Sequence, residues 1–313
     1  MNTVPNREAV CKALMKRAET DRDIVALFSD SRGSASMSSF IERYPERVFE
    51  VGIAEQNLVG IAAGLASCGK KPYAFSPACF LSSRCYEQIK IDVAYSGVNV
   101  KLIGISGGVS YGALGMSHHS VQDIAAMASI PKMRVYLPSD RFQTENLIAS
   151  LAEDAEPAYI RIGRNAVEDI YSPSAPFLKD RACVLREGAD VGIIACGETV
   201  RNALDAADVL EKEGISARVV DMFCLKPIDE NAVLETAFAT GFIVTVEEHV
   251  AWGGLGSAVA RVVAENAPKR VHSLSFPDQP LIAGNSRELF AHYHLDAAGI
   301  AEKCRQLQGE RSG

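Results

Sequence analysis

The sequence contains no run of about 18 consecutive apolar residues, so no membrane-spanning helix is expected. It also has no excess of positive charge: 32 Lys and Arg residues stand against 39 Asp and Glu residues, for a net charge of −7. A nucleic-acid backbone needs a basic surface, so we expect neither nucleic acid nor a membrane as a partner. Residues 1–7 carry no apolar signal core, so we expect no export.

Cysteine pairs at metal-ligand spacing are also missing. The eight cysteines are scattered, none forms a Cys-x-x-Cys pair, and most lie in apolar runs. Buried thiols of this kind are typical of a reducing compartment. We therefore predict a cytoplasmic protein with reduced cysteines and no metal-ligating residues of its own.

Short β-branched runs alternate with helical patterns along the 313 residues. This alternation predicts an α/β fold of two domains, each a mostly parallel sheet flanked by helices. Pro173, Pro176 and several polar residues interrupt the alternation. We predict a first domain at 1–165, a linker at 166–180 and a second domain at 181–313.

Each domain receives a set of predicted elements. Strands are expected at Ile24–Phe28, Val48–Ile53, Pro72–Phe75, Val98–Ile105, Met133–Leu137, Ala158–Ile162, Asp190–Ala195, Ala217–Val220, Phe242–Val246 and Arg270–Leu274. Helices are expected at Arg7–Ala18, Gln56–Ser67, Leu81–Tyr95, Val121–Ser129, Phe142–Glu153, Val200–Lys212, Glu230–Ala239 and Leu255–Ala264.

Glu55 lies where the strand pattern ending in Gly-Ile-Ala passes into a helix of small and apolar residues. A lone carboxylate at a buried position is costly unless something pairs with it. A functional acid is one interpretation. The other is an acid in the first helical turn, which the helix dipole favours.

The segment Ser106–Ser120 is a second candidate, because it follows an apolar strand and precedes a helix. Such loops lie at the carboxyl ends of parallel strands, where α/β folds bind ligands. Its glycines allow close backbone approach, and His118 and His119 supply imidazoles that titrate near neutral pH. A flexible loop with a solvated histidine pair is the alternative.

Val48–Ala66 closely resembles a motif of the transketolase and 1-deoxyxylulose-5-phosphate synthase families, which use thiamine diphosphate. Motifs of the second half also recur in order in transketolase C-terminal domains: Gly188–Val191, Ala195–Gly197, Glu247–His249 and Gly253–Ser257. The resemblance implies a pyrimidine-binding domain followed by a transketolase C-terminal domain.

The resemblance assigns roles to particular residues. It implies that Glu55 activates the cofactor through the aminopyrimidine ring and that His118 moves protons at substrate hydroxyls. It implies a ring pocket formed by Phe80, Arg84 and Tyr86. It implies that the acceptor substrate is bound by His118, His119, Ser106, Leu114, Arg164 and, with weaker alignment, Arg7.

Two of these positions depart from the family pattern. Leu114 stands where transketolases often have an Asp that contacts an acceptor hydroxyl, and Ser106 stands where they have a phosphate-contacting His. We therefore expect an altered acceptor pocket, suited to an unusual sugar.

The Gly-Asp-Gly motif with which these families bind magnesium is also absent. We therefore predict that a partner chain carries this motif, the diphosphate-binding domain and the main Mg²⁺ ligands. The predicted protein is a split transketolase with two copies of each chain. The alternatives are the beta subunit of a 2-oxo acid dehydrogenase and a noncatalytic assembly subunit on the same fold.

Overall fold

A computed structural model describes the backbone of residues 4–312 and the side chains of residues 4–310. The strands are β1 (Ile24–Phe28), β2 (Val48–Glu50), β3 (Lys71–Pro77), β4 (Lys101–Ile105), β5 (Arg134–Tyr136), β6 (Ala158–Ile162), β7 (Cys183–Arg186), β8 (Val191–Ala195), β9 (Ala217–Asp221), β10 (Cys224–Lys226), β11 (Phe242–Val250) and β12 (Val271–Phe276).

The helices alternate with these strands. They are α1 (Asn6–Ala18), α2 (Ser38–Arg43), α3 (Glu55–Ser67), α4 (Ala78–Arg84), α5 (Tyr86–Gln88), α6 (Asp123–Ser129), α7 (Arg141–Leu151), α8 (Thr199–Lys212), α9 (Glu230–Ala239), α10 (Leu255–Asn266), α11 (Ser286–His292) and α12 (Ala297–Ser312). Within residues 4–312, no helix is long and apolar enough to cross a membrane.

Two sheets confirm the predicted α/β architecture. The first has the strand order β10-β5-β6-β4-β3-β1-β2, and the second has the order β12-β11-β8-β9-β7. All neighbours pair in parallel except β10 with β5 and β7 with β9. Strands such as β1 and β6 are buried along their whole length, because helices cover both faces of the sheet.

The two domains are joined by more than the segment between them. Strand β10 follows β9 of the second domain but pairs with β5 of the first sheet. Close by, the Leu137 amide donates to the Phe223 carbonyl at 2.7 Å, and the Gly197 amide donates to the Leu137 carbonyl at 3.1 Å. Residues 163–182 contain no helix or strand, while the exact division at 165 and 180 stays a prediction.

One predicted helix is wrong. Leu81–Tyr95 is broken: α4 ends at Arg84, the backbone of Cys85 is non-helical, and α5 passes into a π-helical stretch at Ile89–Tyr95. The predicted strand Val48–Ile53 is shorter than expected and ends at Glu50. Gly52 then adopts a positive φ of 72°, which turns the chain toward α3.

Candidate active site

The predicted site residues come from loops at one edge of the first sheet. Strands β6, β4, β3, β1 and β2 are consecutive neighbours in that sheet and run in parallel. Their carboxyl ends therefore open on the same side. The segments that follow these strands carry Arg164, His118, Phe80, Ser34 and Glu55, respectively, with Phe80 in α4 and Glu55 at the start of α3.

Glu55 is the first residue of α3, and its side chain is only 5% exposed. Its Oε1 accepts a hydrogen bond from Arg84 Nη1 at 2.9 Å. The Arg84 side chain is 45% exposed, and its guanidinium lies 3.9 Å from the centre of the Phe80 ring. The structure therefore brings together three of the four residues that the resemblance placed at the cofactor ring, while Tyr86, the fourth, lies elsewhere.

His118 continues this row of contacts. Its imidazole is half-buried and lies edge-on to Phe80, with ring centres 5.2 Å apart. Tyr111 flanks it at 5.7 Å. The Nδ1 atom of His118 lies 2.9 Å from Ser117 Oγ, which leaves Nε2 to face a ligand.

Two arginines occupy the far end of the row. The guanidinium of Arg164 lies 4.9 Å from the centre of the Tyr111 ring, and the Tyr111 hydroxyl donates to Ser34 Oγ at 2.9 Å. Arg7 Nη1 donates to the Ser34 carbonyl at 3.0 Å. Burial lowers the pKa of Arg7, and the positive charge of Arg164 nearby lowers it further. Two close guanidinium groups of this kind have the charge and the donors that an anionic group would need.

His119, the next residue after His118, is only 2% exposed. Its Nε2 lies 3.1 Å from the Gly112 carbonyl, and burial lowers its pKa, so the neutral imidazole is favoured. Its Nδ1 is buried with no hydrogen-bond partner in the described part of the chain. His119, Phe80 and Arg84 line a cavity of about 330 Å³ with Met116 and Gln122.

Three other predicted residues lie apart from the row. Ser106 is buried, with a left-handed backbone and a hydroxyl that finds no partner within residues 4–312. Leu114 lies on a 3₁₀ turn at Gly112–Ser117 and is 55% exposed. Tyr86 packs against the core of the first domain, and its hydroxyl lies 2.8 Å from Ser129 Oγ.

Sequence reasoning missed a buried charged cluster between the domains. Arg161 lies 3.5 Å from Asp123 Oδ1 and 3.4 Å from Glu248 Oε2. Burial and the nearby Glu248 raise the pKa of Glu198 to about 8. Gly163 makes this packing possible, because a Cβ there would lie 1.5 Å from Glu198 Oε1. The lone Arg161 inside an apolar strand is the sequence signal that could have revealed this cluster.

The comparisons with known proteins assign the family. Residues 2–169 match the family described as "Transketolase, pyrimidine binding domain", and residues 180–300 match "Transketolase, C-terminal domain". The chain therefore belongs to the transketolase family, whose members depend on thiamine diphosphate.

Individual relatives are similar over nearly the whole chain. A subunit of an apulose-4-phosphate transketolase from Phocaeicola vulgatus is 46% identical over 307 residues, which cover 98% of each chain. A subunit of a 6-deoxy-6-sulfo-D-fructose transketolase from Clostridium sp. is 40% identical, over 84% of this chain and 81% of that protein.

A solved structure described as a split gene transketolase, an inactive beta4 tetramer, superposes with a TM-score of 0.88 at 41% identity. The match covers 97% of this chain and 98% of that one. By contrast, the match to a 1-deoxy-D-xylulose-5-phosphate synthase from Syntrophotalea carbinolica covers 96% of this chain and 48% of that enzyme.

Proposed function

We propose that this chain is one subunit of a split thiamine-diphosphate-dependent transketolase. With its partner it transfers a two-carbon ketol unit from a ketose to an aldehyde acceptor. The observation that carries the proposal is the buried carboxylate of Glu55 at the sheet edge, which Arg84 links to the Phe80 ring and so to the imidazole of His118. The end-to-end similarity to transketolase subunits supports it.

The residues present fit the aminopyrimidine of thiamine diphosphate. That group needs a protonated carboxyl that donates to a ring nitrogen, and an apolar surface against its face. Glu55 and Phe80 supply these two features, and both are reached by a single planar group in the structure, the Arg84 guanidinium. When bound, thiamine diphosphate supplies the carbanion chemistry of ketol transfer.

Each side chain then has a defined task. Glu55 holds a proton at its carboxyl against the ring nitrogen, and its burial keeps water from competing. Phe80 orients the ring by stacking. The Nε2 atom of His118 exchanges protons with substrate hydroxyls, because Nδ1 is occupied by Ser117.

The partner completes the site in this proposal. It carries the Gly-Asp-Gly motif, binds the diphosphate and holds most of the Mg²⁺ ligands. Two copies of each chain assemble, with this chain forming a homodimer at the centre. The eight cysteines are free thiols, which suits a cytoplasmic location.

The substrate is an unusual sugar with an anionic tail. Arg164 and Arg7 form a cationic site of the right chemistry for a phosphate or a sulfonate. The two relatives are named for apulose 4-phosphate and for 6-deoxy-6-sulfofructose, which carry these two groups. Leu114 offers no hydrogen bond to an acceptor hydroxyl.

Substitution Glu55→Gln in the reconstituted enzyme tests the proposal. The amide keeps the size of the side chain but cannot supply the carboxyl proton, so ketol transfer should fall by roughly 10²–10⁴. Binding of the cofactor should change less than turnover. Glu87→Gln, which alters an exposed acid on α5, is the control and should leave the rate near that of the wild type.

Near-normal turnover by the Glu55→Gln enzyme would contradict the assigned role. Decarboxylation of a 2-oxo acid in place of ketol transfer would instead favour the 2-oxo acid dehydrogenase alternative.

A further inference from the structure

Arg84 contacts both groups that an aminopyrimidine ring would need in this site, the carboxyl of Glu55 and the ring of Phe80. One of its nitrogens donates to Glu55 at 2.9 Å, and its guanidinium lies 3.9 Å from the Phe80 ring centre. A guanidinium is flat, delocalised and able to stack on an aromatic face while donating in its own plane. It therefore matches the shape and the hydrogen bonding of the ring that the site is expected to hold.

The two partners of this ion pair are unequally buried. Glu55 is 5% exposed, so its carboxylate needs a partner from the protein or from a ligand. Arg84 is 45% exposed and can exchange this contact for water at low cost. Breaking the pair therefore leaves Glu55, and not Arg84, in need of a replacement partner.

The backbone around Arg84 permits such a displacement. Arg84 is the last residue of α4, and Cys85 after it has φ −110° and ψ 13°, outside the helical range. The next residues begin a separate short helix. The guanidinium thus projects from a helix end, so its side chain can swing outward without breaking helical hydrogen bonds.

We propose that Arg84 is a placeholder cation, which pairs with Glu55 and covers Phe80 until the pyrimidine ring displaces it. This inference rests on the proposed function and revises the sequence prediction that Arg84 holds the cofactor. Arg84 acts through Glu55 as a positioning residue. It keeps the buried acid partnered in the empty subunit, and its displacement reduces the affinity for the ring.

The test measures binding of 4-amino-5-hydroxymethyl-2-methylpyrimidine, the ring without thiazolium or diphosphate, to the purified chain by NMR titration at neutral pH, where a proton is available for the bond between Glu55 and the ring nitrogen. The wild type is compared with Arg84→Met, which keeps length but removes the charge. Arg84→Met should bind the fragment about tenfold more tightly, the factor expected for one charge-assisted contact that need not be broken.

The dependence of fragment binding on salt concentration distinguishes displacement of Arg84 from a purely structural effect of the substitution. Rising NaCl weakens the ion pair, so the wild type should bind the uncharged fragment more tightly as salt increases, while Arg84→Met stays constant. Arg84→Lys keeps the charge but stacks poorly on Phe80, and should give an intermediate affinity. Arg141→Met is the matched control, because Arg141 also stacks on a ring, Phe142, and pairs with a carboxylate, Asp169.

Weaker binding by Arg84→Met would show that Arg84 holds the ring, and equal binding would show that it does not occupy the ring's place; either result overturns the inference. Fragment binding to neither chain would also overturn it, since Glu55 and Phe80 must form a usable site once Arg84 has left. The proposed function is tested separately by ketol transfer in the reconstituted pair, which can succeed while this inference fails.

Discussion

At the scale of single residues, Asp221 is a buried carboxylate where both domains and the intervening segment meet. Its Oδ2 accepts hydrogen bonds from Ser139 Oγ and Tyr171 Oη, each at 2.8 Å, and from Gln143 Nε2 at 2.9 Å. Its Oδ1 is buried without a partner in residues 4–312. Burial raises the pKa of Asp221 to about 7, although the three hydrogen bonds oppose this shift.

The raised pKa of Asp221 predicts a pH dependence of stability. Above about pH 4 the carboxyl ionises in the unfolded chain but stays protonated in the folded one, so stability falls as pH rises toward 7. An Asn at position 221 cannot ionise. The Asp221→Asn protein should therefore not show the decrease in the free energy of unfolding, on the order of 2–4 kcal/mol, that the wild type shows between about pH 4 and pH 7. Urea unfolding of both proteins at pH values from 4 to 8 measures the difference.

The control for this prediction is Asp208→Asn, which changes an exposed carboxylate paired with Arg186. Its stability curve should run parallel to that of the wild type. If the stability curve of Asp221→Asn also runs parallel to that of the wild type, Asp221 is ionised in the folded protein across this pH range. The protonated, buried state inferred for Asp221 is then wrong.

The elements explain which parts of the site a sequence can reveal. Strand β6 and helix α9 were predicted with their observed bounds, because an apolar run and a helical period are local patterns. Strand β10 was not predicted, since its partner β5 belongs to the other domain. The contact of Glu55 with Arg84 likewise depends on two elements that meet only in the folded chain.

The loop after β4 also shows that contacts formed only in the folded chain cannot be read from local sequence patterns. Its glycines and histidines placed it at the sheet edge, but its path is set by a bridge between Gly108 and Ser120 and by the positive φ of Gly115. As a result Ser106 is buried and Leu114 is exposed. Tyr111, which contacts both His118 and Arg164, was not singled out because its importance lies in those contacts.

The exposed turn of this loop predicts acceptor choice. In the reconstituted enzyme, Leu114→Asp should increase the rate with ribose 5-phosphate as the acceptor substrate. A hydroxyl of this sugar could then donate a hydrogen bond to the introduced carboxylate. An unsatisfied polar group costs about 1–3 kcal/mol, so the gain should be roughly tenfold to a hundredfold. Rates with a panel of sugar and short aldehydes measure this change.

Ala113→Asp supplies the control, because it adds the same charge one residue away on the exposed turn. It should not reproduce the gain. The altered-pocket hypothesis fails if ribose 5-phosphate is already the best acceptor of the wild type and Leu114→Asp brings no improvement.

At the scale of the whole molecule, the proposed transketolase needs this chain and a partner subunit together. The row from Glu55 to Arg164 lies at the edge of the first sheet, and Arg84 within it and Leu114 on the loop that carries His118 are each about half exposed. The similarity over nearly the full length of transketolase subunits supports the same proposal. The account therefore requires a second chain that covers this edge.

Reconstitution tests this requirement most directly. The purified chain is assayed for thiamine-diphosphate-dependent ketol transfer alone and after titration with the partner that carries the Gly-Asp-Gly motif, with Mg²⁺ present throughout. The account predicts no activity from the chain alone and activity that rises until the two subunits are equimolar. Robust ketol transfer by the chain alone would contradict the account. So would the absence of ketol transfer at every ratio of the two subunits.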